Sequence, residues 1–289
     1  MAGVVFVQSQ ESINWNILND PKALQRQALR RLYERCRGRS YFRREDCPEG
    51  ISSSVMLLLG MQPSENGQAP EVCVILNKRS ARVRQPGDLC CPGGTVEAHV
   101  DPYLARLLEF PPFPLALWPH WRELRRRHPD EARVMSLLLA TGLRESWEEM
   151  RLNPFCARFL GPLPSQCLVL FNRIIYPMVA WVSFQTCFAP SWEVESIVRV
   201  PLRAFLDPAS YARYRLYVPP RLRDRFREGT RDFPCFIFPM KERTEVLWGV
   251  TFRIVALFIE LLFGFRPPDT AGLPLVTGVL DEAYLVGRT

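Results

Sequence analysis

The chain has 289 residues, of which 47% are hydrophobic and 23% are charged, as in a globular protein with one large domain or a domain with extensions. Its formal net charge of +7 favours polyanionic partners, whether nucleotides, cofactor phosphates, nucleic acid or a membrane surface, and does not choose among them.

Cysteine and histidine usage argues against a zinc site. The nine cysteines are scattered, only Cys90 and Cys91 are adjacent, and there are three histidines. The odd number of cysteines predicts free thiols in a reducing compartment, so we expect a cytoplasmic protein. Residues 1–15 lack a basic start followed by a long apolar run, so no secretory signal is predicted.

The first predicted element is a basic helix. Asp20 and Pro21 predict its start, because aspartate caps free N–H groups and proline fits the first helical turn. We expect it to run to about Arg37, with an apolar stripe from Leu24 to Leu32 at steps of four. Its basic faces are expected to be solvated; the alternative is a surface for a phosphate-rich ligand.

Two apolar segments that follow predict an antiparallel hairpin. Ile51–Leu59 and Val72–Leu76 are joined by residues 60–70, which are rich in Gly, Pro, Ser and Asn. A basic loop comes next, with Arg79, Arg82 and Arg84. These arginines are candidate phosphate contacts, and the alternative is a solvated turn.

A diglycine and a cluster of glutamates carry the candidate chemistry. Gly93 and Gly94 allow backbone to approach an ion or a phosphate closely. Glu145, Glu148 and Glu149 would crowd one side of a helix, because they are three and four residues apart. Like charges that close repel unless a cation lies among them, and hard divalent ions prefer oxygen ligands. The ordinary alternative is a solvated acidic face.

Together these segments resemble the Nudix box, which reads Gly, five residues, Glu, seven residues, then Arg-Glu-apolar-x-Glu-Glu-x-Gly-apolar. The matching positions are Gly94, Arg144, Glu145, Glu148, Glu149 and Leu152. Val100 stands at the place of the first Glu, with Asp101 one position late, and an insertion of about residues 101–135 widens the gap. Ser146 occupies an apolar position and Arg151 replaces the Gly, so the helix is expected to run on towards Asn153.

The stretch from Pro86 to Gly94 resembles the coenzyme A pyrophosphatase subgroup of that family. Later segments match it too: Glu193-Val194, Val200-Pro201-Leu202, and the Trp-Gly-x-Thr of residues 248–251. Further strands are predicted at Cys167–Ile175 and Met178–Thr186, joined around Tyr176-Pro177, and at Phe233–Pro239. A buried helix is predicted to end near Phe263. We divide the chain into an N-terminal extension (1–49), a Nudix-like domain (50–265) and a C-terminal tail (266–289).

The resemblance implies an α/β fold, an α/β/α sandwich around a mixed sheet, with an N-terminal helix and a helical insertion. It implies hydrolysis of a nucleoside diphosphate linked to another moiety. The implied ligands of Mg²⁺ or Mn²⁺ are Glu145, Glu148, Glu149 and Gly94. Glu148, Glu149 or Glu193 would accept the proton, Arg144 would orient a glutamate, and Gly93, Arg79, Arg82 and Arg84 would contact the substrate.

The subgroup implies coenzyme A or a derivative as substrate, cleaved to phosphopantetheine and adenosine 3′,5′-bisphosphate. Two alternatives remain open: a catalytically lapsed domain that binds nucleotides, and an RNA-cap hydrolase. We expect no stable nucleic-acid partner and no membrane span, and a homodimer remains possible.

Overall fold

The computed structural model describes residues 15–36, 42, 51–62, 70–168, 173–220, 230–240, 243–280 and 284. Its helices are α1 (Pro21–Cys36), α2 (Asp101–Leu108), α3 (Trp121–Arg127), α4 (Pro129–Met150) and α5 (Gly249–Phe263). Its strands are β1 (Ile51–Gln62), β2 (Glu71–Arg79), β3 (Leu89–Cys90), β4 (Gly93–Thr95), β5 (Ala157–Pro162), β6 (Gln166–Leu168), β7 (Arg173–Val182), β8 (Val194–Pro201), β9 (Tyr211–Tyr217), β10 (Thr230–Pro239), β11 (Thr244–Leu247) and β12 (Leu275–Val279).

The larger sheet is mixed and is built around the predicted hairpin. Its main strand order is β3-β2-β1-β7-β5, and β4, β6 and β8 pair with β1, β7 and β2 respectively. Strand β1 runs antiparallel to β2 and parallel to β7. The β1–β2 pairing confirms the hairpin that the two apolar segments predict.

Helices cover both faces of this sheet, because side chains alternate along each strand. Leu57 and Leu59 of β1 point into one core, with residues of α1 and α5. Met56 and Leu58 point into the other core, with residues of α2, α3 and α4. The predicted α/β/α sandwich around a mixed sheet is therefore confirmed.

Helix α1 begins where the sequence predicts. The Asp20 carboxylate accepts hydrogen bonds from the backbone N–H groups of Lys22 and Ala23, both at 3.0 Å. Leu24 and Leu32 are fully buried, so the predicted stripe packs on the sheet. The predicted end at Arg37 lies outside the described residues.

The predicted break at Tyr176-Pro177 is wrong, because β7 runs through it as one strand. Proline lacks an N–H group and normally interrupts a ladder of hydrogen bonds. Here β5 pairs with β7 from Met178 onward and β6 pairs with it up to Ile175. Pro177 therefore lies where one neighbouring strand replaces the other, and its missing donor costs no ladder bond.

The smaller sheet has the order β11-β10-β9-β12. Strand β12 comes from the predicted C-terminal tail and pairs in parallel with β9. A buried ion pair joins the sheets: Lys78 Nζ of β2 lies 2.8 Å from Glu245 Oε1 of β11. Among the helices of the described ranges, none has the length and apolar character needed to cross a bilayer.

Candidate functional site

The site forms where α4 crosses the diglycine. Strand β4 pairs with β1, with Ser54 opposite Gly94. A Cβ atom at Gly94 would lie 2.3 Å from Glu145 Oε1, so the carboxylate occupies the space that a side chain would take. At Gly93, where φ is +153°, a Cβ would lie 2.2 Å from the carbonyl oxygen of Ser54. Gly93 therefore requires glycine, because the clash is with backbone, whereas a side chain at Gly94 would displace the Glu145 carboxylate.

Glu149 reaches the same point from the next turn of α4. Its Oε2 accepts a hydrogen bond from Asn77 Nδ2 at 2.7 Å, and its carboxylate also accepts one from the Gly93 N–H. Burial and then the charge of Glu145 raise the pKa of Glu149 to about 8. Burial also raises the pKa of Glu145, against the opposing charge of Arg144.

Arg144 forms ion pairs with two of the three glutamates. Its side chain is 7% exposed, and its Nη2 lies 3.0 Å from Glu145 Oε1 while its Nη1 lies 2.9 Å from Glu148 Oε2. It also donates from Nη2 to the Thr95 carbonyl oxygen at 3.1 Å. Burial alone would lower the pKa of Arg144, but the hydrogen bond to Asp101 and the nearby carboxylates raise it above its usual range. Arg144 therefore contacts Asp101, Glu145 and Glu148 at the same time.

Asp101, which the sequence places one position after the expected glutamate, was not predicted as a site residue. It is fully buried, and its Oδ1 accepts from Arg144 Nε at 2.8 Å. Its Oδ2 accepts from the Glu97 N–H and from Thr141 Oγ1, both at 2.7 Å. Val100, at the expected place of the glutamate, is 40% exposed. The carboxylate missing at Val100 is therefore supplied one residue later, a shift that the adjacency of Asp101 could have indicated.

Helix α4 ends at Met150, so the expectation that it continues to Asn153 is wrong. Arg151 adopts the left-handed conformation, with φ 57° and ψ 38°, at a cost of roughly 1–2 kcal/mol. Its N–H donates to the Trp147 carbonyl oxygen at 2.9 Å, and its guanidinium carbon lies 5.4 Å from the centre of the Trp147 ring. These contacts offset part of the strain of a position that favours glycine.

The basic loop closes beside Glu149. Arg79 Nε donates to the Arg84 carbonyl oxygen at 2.6 Å, and the charge of Arg79 opposes the rise in the pKa of Glu149. Arg82 and Arg84 are exposed. The far end of the loop is held at Asp88, whose carboxylate accepts from Trp248 Nε1 at 3.1 Å.

Glu193 lies on a neighbouring loop that is attached to the site through backbone. Its carbonyl oxygen accepts from the Ser80 N–H at 2.8 Å, and the Ser191 N–H donates to the Glu149 carbonyl oxygen at 2.8 Å. The structure brings the Glu193 backbone next to both the basic loop and the end of α4. Its side chain is half-buried.

The glutamates do not converge equally. Glu145 and Glu149 face the diglycine, whereas the Glu148 side chain is 52% exposed and pairs with Arg144. Within the described ranges, no three Asp, Glu, His or Cys side chains form a metal-binding group. Mg²⁺ is commonly held by one or two carboxylates together with waters and substrate phosphates. The Glu145–Glu149 pair fits that donor set.

Comparison with known proteins gives likeness in structure alone. No family model matches this chain. No curated protein matches it either. Among solved structures, the chain is similar to a Nudix hydrolase from M. smegmatis, RenU, at 13% identity, with 53% of this chain and 71% of that chain covered and a TM-score of 0.33.

Two further solved structures show a likeness of the same extent. For the NUDIX domain of Shewanella oneidensis NrtR, solved with ADP ribose, the identity is 16%, the coverage is 57% of this chain and 81% of that one, and the TM-score is 0.34. For a C. elegans Ap4A hydrolase the identity is 10%, the coverage is 52% of this chain and 80% of that one, and the TM-score is 0.31. The functional conclusion for this chain therefore rests on its own carboxylates.

Proposed function

We propose that this chain is a Nudix-type pyrophosphohydrolase, which uses a divalent cation to cleave the diphosphate of a nucleoside diphosphate linked to another moiety. The observation that carries the proposal is the meeting of Glu145 and Glu149 with the diglycine at Gly93 and Gly94. Two half-buried carboxylates beside the diglycine repel each other when no cation lies between them, so the site favours a divalent cation.

Mg²⁺ or Mn²⁺ would be held by Glu145 and Glu149, with Glu148 and the Gly94 carbonyl oxygen as further ligands. When bound, the cation neutralises the diphosphate and lowers the pKa of a bound water. Arg144 holds Glu145 and Glu148 in place through its ion pairs. The Asn77 amide orients the Glu149 carboxylate, as the partners of metal ligands commonly do.

Protons and phosphates would be handled by groups at the rim of the site. Glu149, Glu148 or Glu193 takes the proton of the attacking water, since all three lie at this end of α4 or on the loop bonded to it. Arg79, Arg82 and Arg84 are the candidate contacts for substrate phosphates, because the loop closes beside Glu149.

Coenzyme A or an acyl derivative is the substrate that we propose within this class, with phosphopantetheine and adenosine 3′,5′-bisphosphate as products. Two observations support it: the resemblance of residues 86–94 to the coenzyme A pyrophosphatase subgroup, and the exposed arginines of the basic loop. Three phosphate groups on such a substrate suit several guanidinium groups better than one.

The test is turnover across a panel of coenzyme A esters, dinucleotides and capped RNA, with Mg²⁺ or Mn²⁺ and with a chelator. We expect cation-dependent cleavage of at least one member and a loss of kcat by about a hundredfold or more in Glu149→Gln. Glu131→Gln, in the first turn of the same helix, is the matched control and should retain full turnover.

A binding module would give a different result. If the wild-type protein binds panel members but cleaves none of them with either cation, the hydrolase proposal fails and the lapsed-domain alternative stands. Cleavage confined to capped RNA, with steep salt dependence, would instead support the cap-hydrolase alternative.

A further inference from the structure

The insertion, together with the turn that follows α4, exposes a group of large apolar side chains, called the apolar patch below. It consists of Tyr103, Leu107, Phe110, Leu117 and Phe155, whose exposed fractions are 67%, 51%, 65%, 63% and 60%. Single exposed apolar side chains are ordinary on protein surfaces. Several together mark a surface that contacts something else.

Local contacts link four members of the apolar patch, and Tyr103 lies one helical turn before Leu107 on α2. The Phe110 N–H donates to the Leu107 carbonyl oxygen at 3.1 Å, and the Leu117 N–H donates to the Phe113 carbonyl oxygen at 3.3 Å. The Phe113 ring stacks on the Phe155 ring with their centres 5.0 Å apart. The Phe113 N–H donates to the Phe110 carbonyl oxygen at 3.1 Å, which closes the series.

The two short helices of the insertion carry positive charge. Five exposed arginines lie on them and are called the bordering arginines below: Arg106 on α2 and Arg122, Arg125, Arg126 and Arg127 on α3. Residues 102–128 contain two acids, and both are paired: Glu109 Oε2 lies 3.4 Å from Arg125 Nη1, and Glu123 Oε1 lies 2.9 Å from Arg127 Nη1. The other three arginines form no ion pair with any residue of the described ranges.

The combination of apolar patch and arginine border selects among partners. A second copy related by twofold symmetry would bring two like-charged borders together, which repel. A nucleic acid would bind the arginines through phosphates but would leave aliphatic side chains such as Leu107 and Leu117 without matching contacts. The surface of an anionic bilayer matches both the apolar patch and the arginines, because apolar side chains enter the acyl boundary while arginines contact the anionic headgroups.

We propose that the insertion docks this protein on the surface of anionic lipid bilayers through the apolar patch and its bordering arginines. Two hydrogen bonds attach the insertion to the rest of the protein: Trp118 donates from Nε1 to the Leu160 carbonyl oxygen at 3.2 Å, and Tyr33 OH of α1 donates to Glu123 Oε2 at 2.8 Å. The surface needs no rearrangement of α2 or α3 to be presented.

The experiment is co-sedimentation of the full chain with vesicles of phosphatidylcholine alone and with vesicles that are one third phosphatidylserine. We expect binding to the anionic vesicles only. The double variant Phe110→Ser/Leu117→Ser should weaken it by about tenfold or more. Arg122→Gln/Arg126→Gln should weaken it by about fivefold for each arginine. Because all four side chains are exposed, these variants should keep the thermal stability of the parent.

Matched controls lie away from the insertion. Phe184→Ser removes a fully exposed phenylalanine, and Arg203→Gln/Arg253→Gln removes two exposed arginines; both should bind as the parent does. Lack of binding to either vesicle overturns the proposal, as does equal loss in the control variants. Lipid-free dimerisation that the Phe110→Ser/Leu117→Ser variant abolishes would overturn it in favour of a second copy. RNA binding lost only in the arginine variant, without vesicle binding, would also overturn it.

Discussion

At the residue scale, Glu149 combines burial with a like charge. Its pKa rises from an ordinary value of 4.5 to about 8, so the fold favours its protonated form. The stability that this group contributes is fully present below its unfolded pKa and is lost as pH rises through about 8. Ionisation of Glu149 therefore lowers the stability of the folded protein as pH rises, and a bound cation would offset this loss.

We expect the melting temperature of the cation-free protein to decrease as pH is raised from about 5 to about 9. The decrease should be smaller in Glu149→Gln, because residue 149 does not ionise in that variant. Added Mn²⁺ should reduce the fall in the parent, because it binds the ionised form. Thermal melts at each pH, taken as the difference between parent and variant, isolate Glu149 from Asp88 and Glu145, whose pKa values burial also raises. Parallel curves for the two proteins would contradict the assignment.

A second residue-scale prediction concerns which position, 100 or 101, supplies the carboxylate that pairs with Arg144. Asp101→Ala should lower the free energy of unfolding by about 3–5 kcal/mol, because it leaves the buried Arg144 guanidinium without its main partner. Val100→Glu, which restores the family pattern at an exposed position, should change it by less than about 0.5 kcal/mol. Urea denaturation of both variants is the measurement. If Val100→Glu were stabilising and restored the stability lost in Asp101→Ala, position 100 would be the better source of a carboxylate for Arg144.

At the scale of the element, α4 carries the site because its last two turns bring Glu145 and Glu149 over the diglycine. The residue at which α4 ends determines the direction of the chain that follows, which leads towards Glu193. The end is set by Arg151 in the left-handed conformation, and Gln185 Nε2 donates to its carbonyl oxygen at 2.9 Å.

Comparison of Arg151→Gly with Arg151→Ala tests this helix end, since both lose the contact with Trp147. The glycine variant should be the more stable of the two by about 1 kcal/mol, because only glycine adopts the left-handed conformation without strain. Thermal or urea unfolding measures the difference. Were the helix to continue to Asn153, alanine would be the better residue and the order would reverse.

At the scale of the whole molecule, the Lys78–Glu245 ion pair joins the two sheets. Both side chains are less than one tenth exposed, and Asn77, next to Lys78, holds Glu149. Glu245 also pairs with Arg243 Nε at 2.6 Å, and Arg243 Nη1 lies 2.8 Å from Glu195 Oε1. The smaller sheet is thus coupled to the strand that supports the candidate site.

Glu245→Leu should lower the free energy of unfolding by about 3–5 kcal/mol, since it leaves the Lys78 ammonium buried without a partner. The double variant Lys78→Met/Glu245→Leu should recover much of that loss, because no buried charge remains and Arg243 retains Glu195. A double-mutant cycle by urea denaturation gives the coupling. Losses that add without coupling would mean that the two charges do not depend on each other.

The sequence by itself determined the features that depend on local spacing. The stripe of α1, the β1–β2 hairpin and the placement of Glu145 and Glu149 on one side of a helix follow from periodicities of a few residues. The pairing of these glutamates with the diglycine was predicted from the resemblance to the Nudix box. Helix and strand geometry converts such spacing into faces without reference to the rest of the chain.

Only the tertiary structure decided which distant groups meet those faces. Asp101 replaces the carboxylate missing at Val100, Asn77 reaches Glu149, and β12 joins β9 from the far end of the chain. Pro177 continues a strand because its two neighbours exchange there. The physical reason is that burial and hydrogen-bond satisfaction are settled between elements far apart in sequence, and a local pattern does not specify its distant partner.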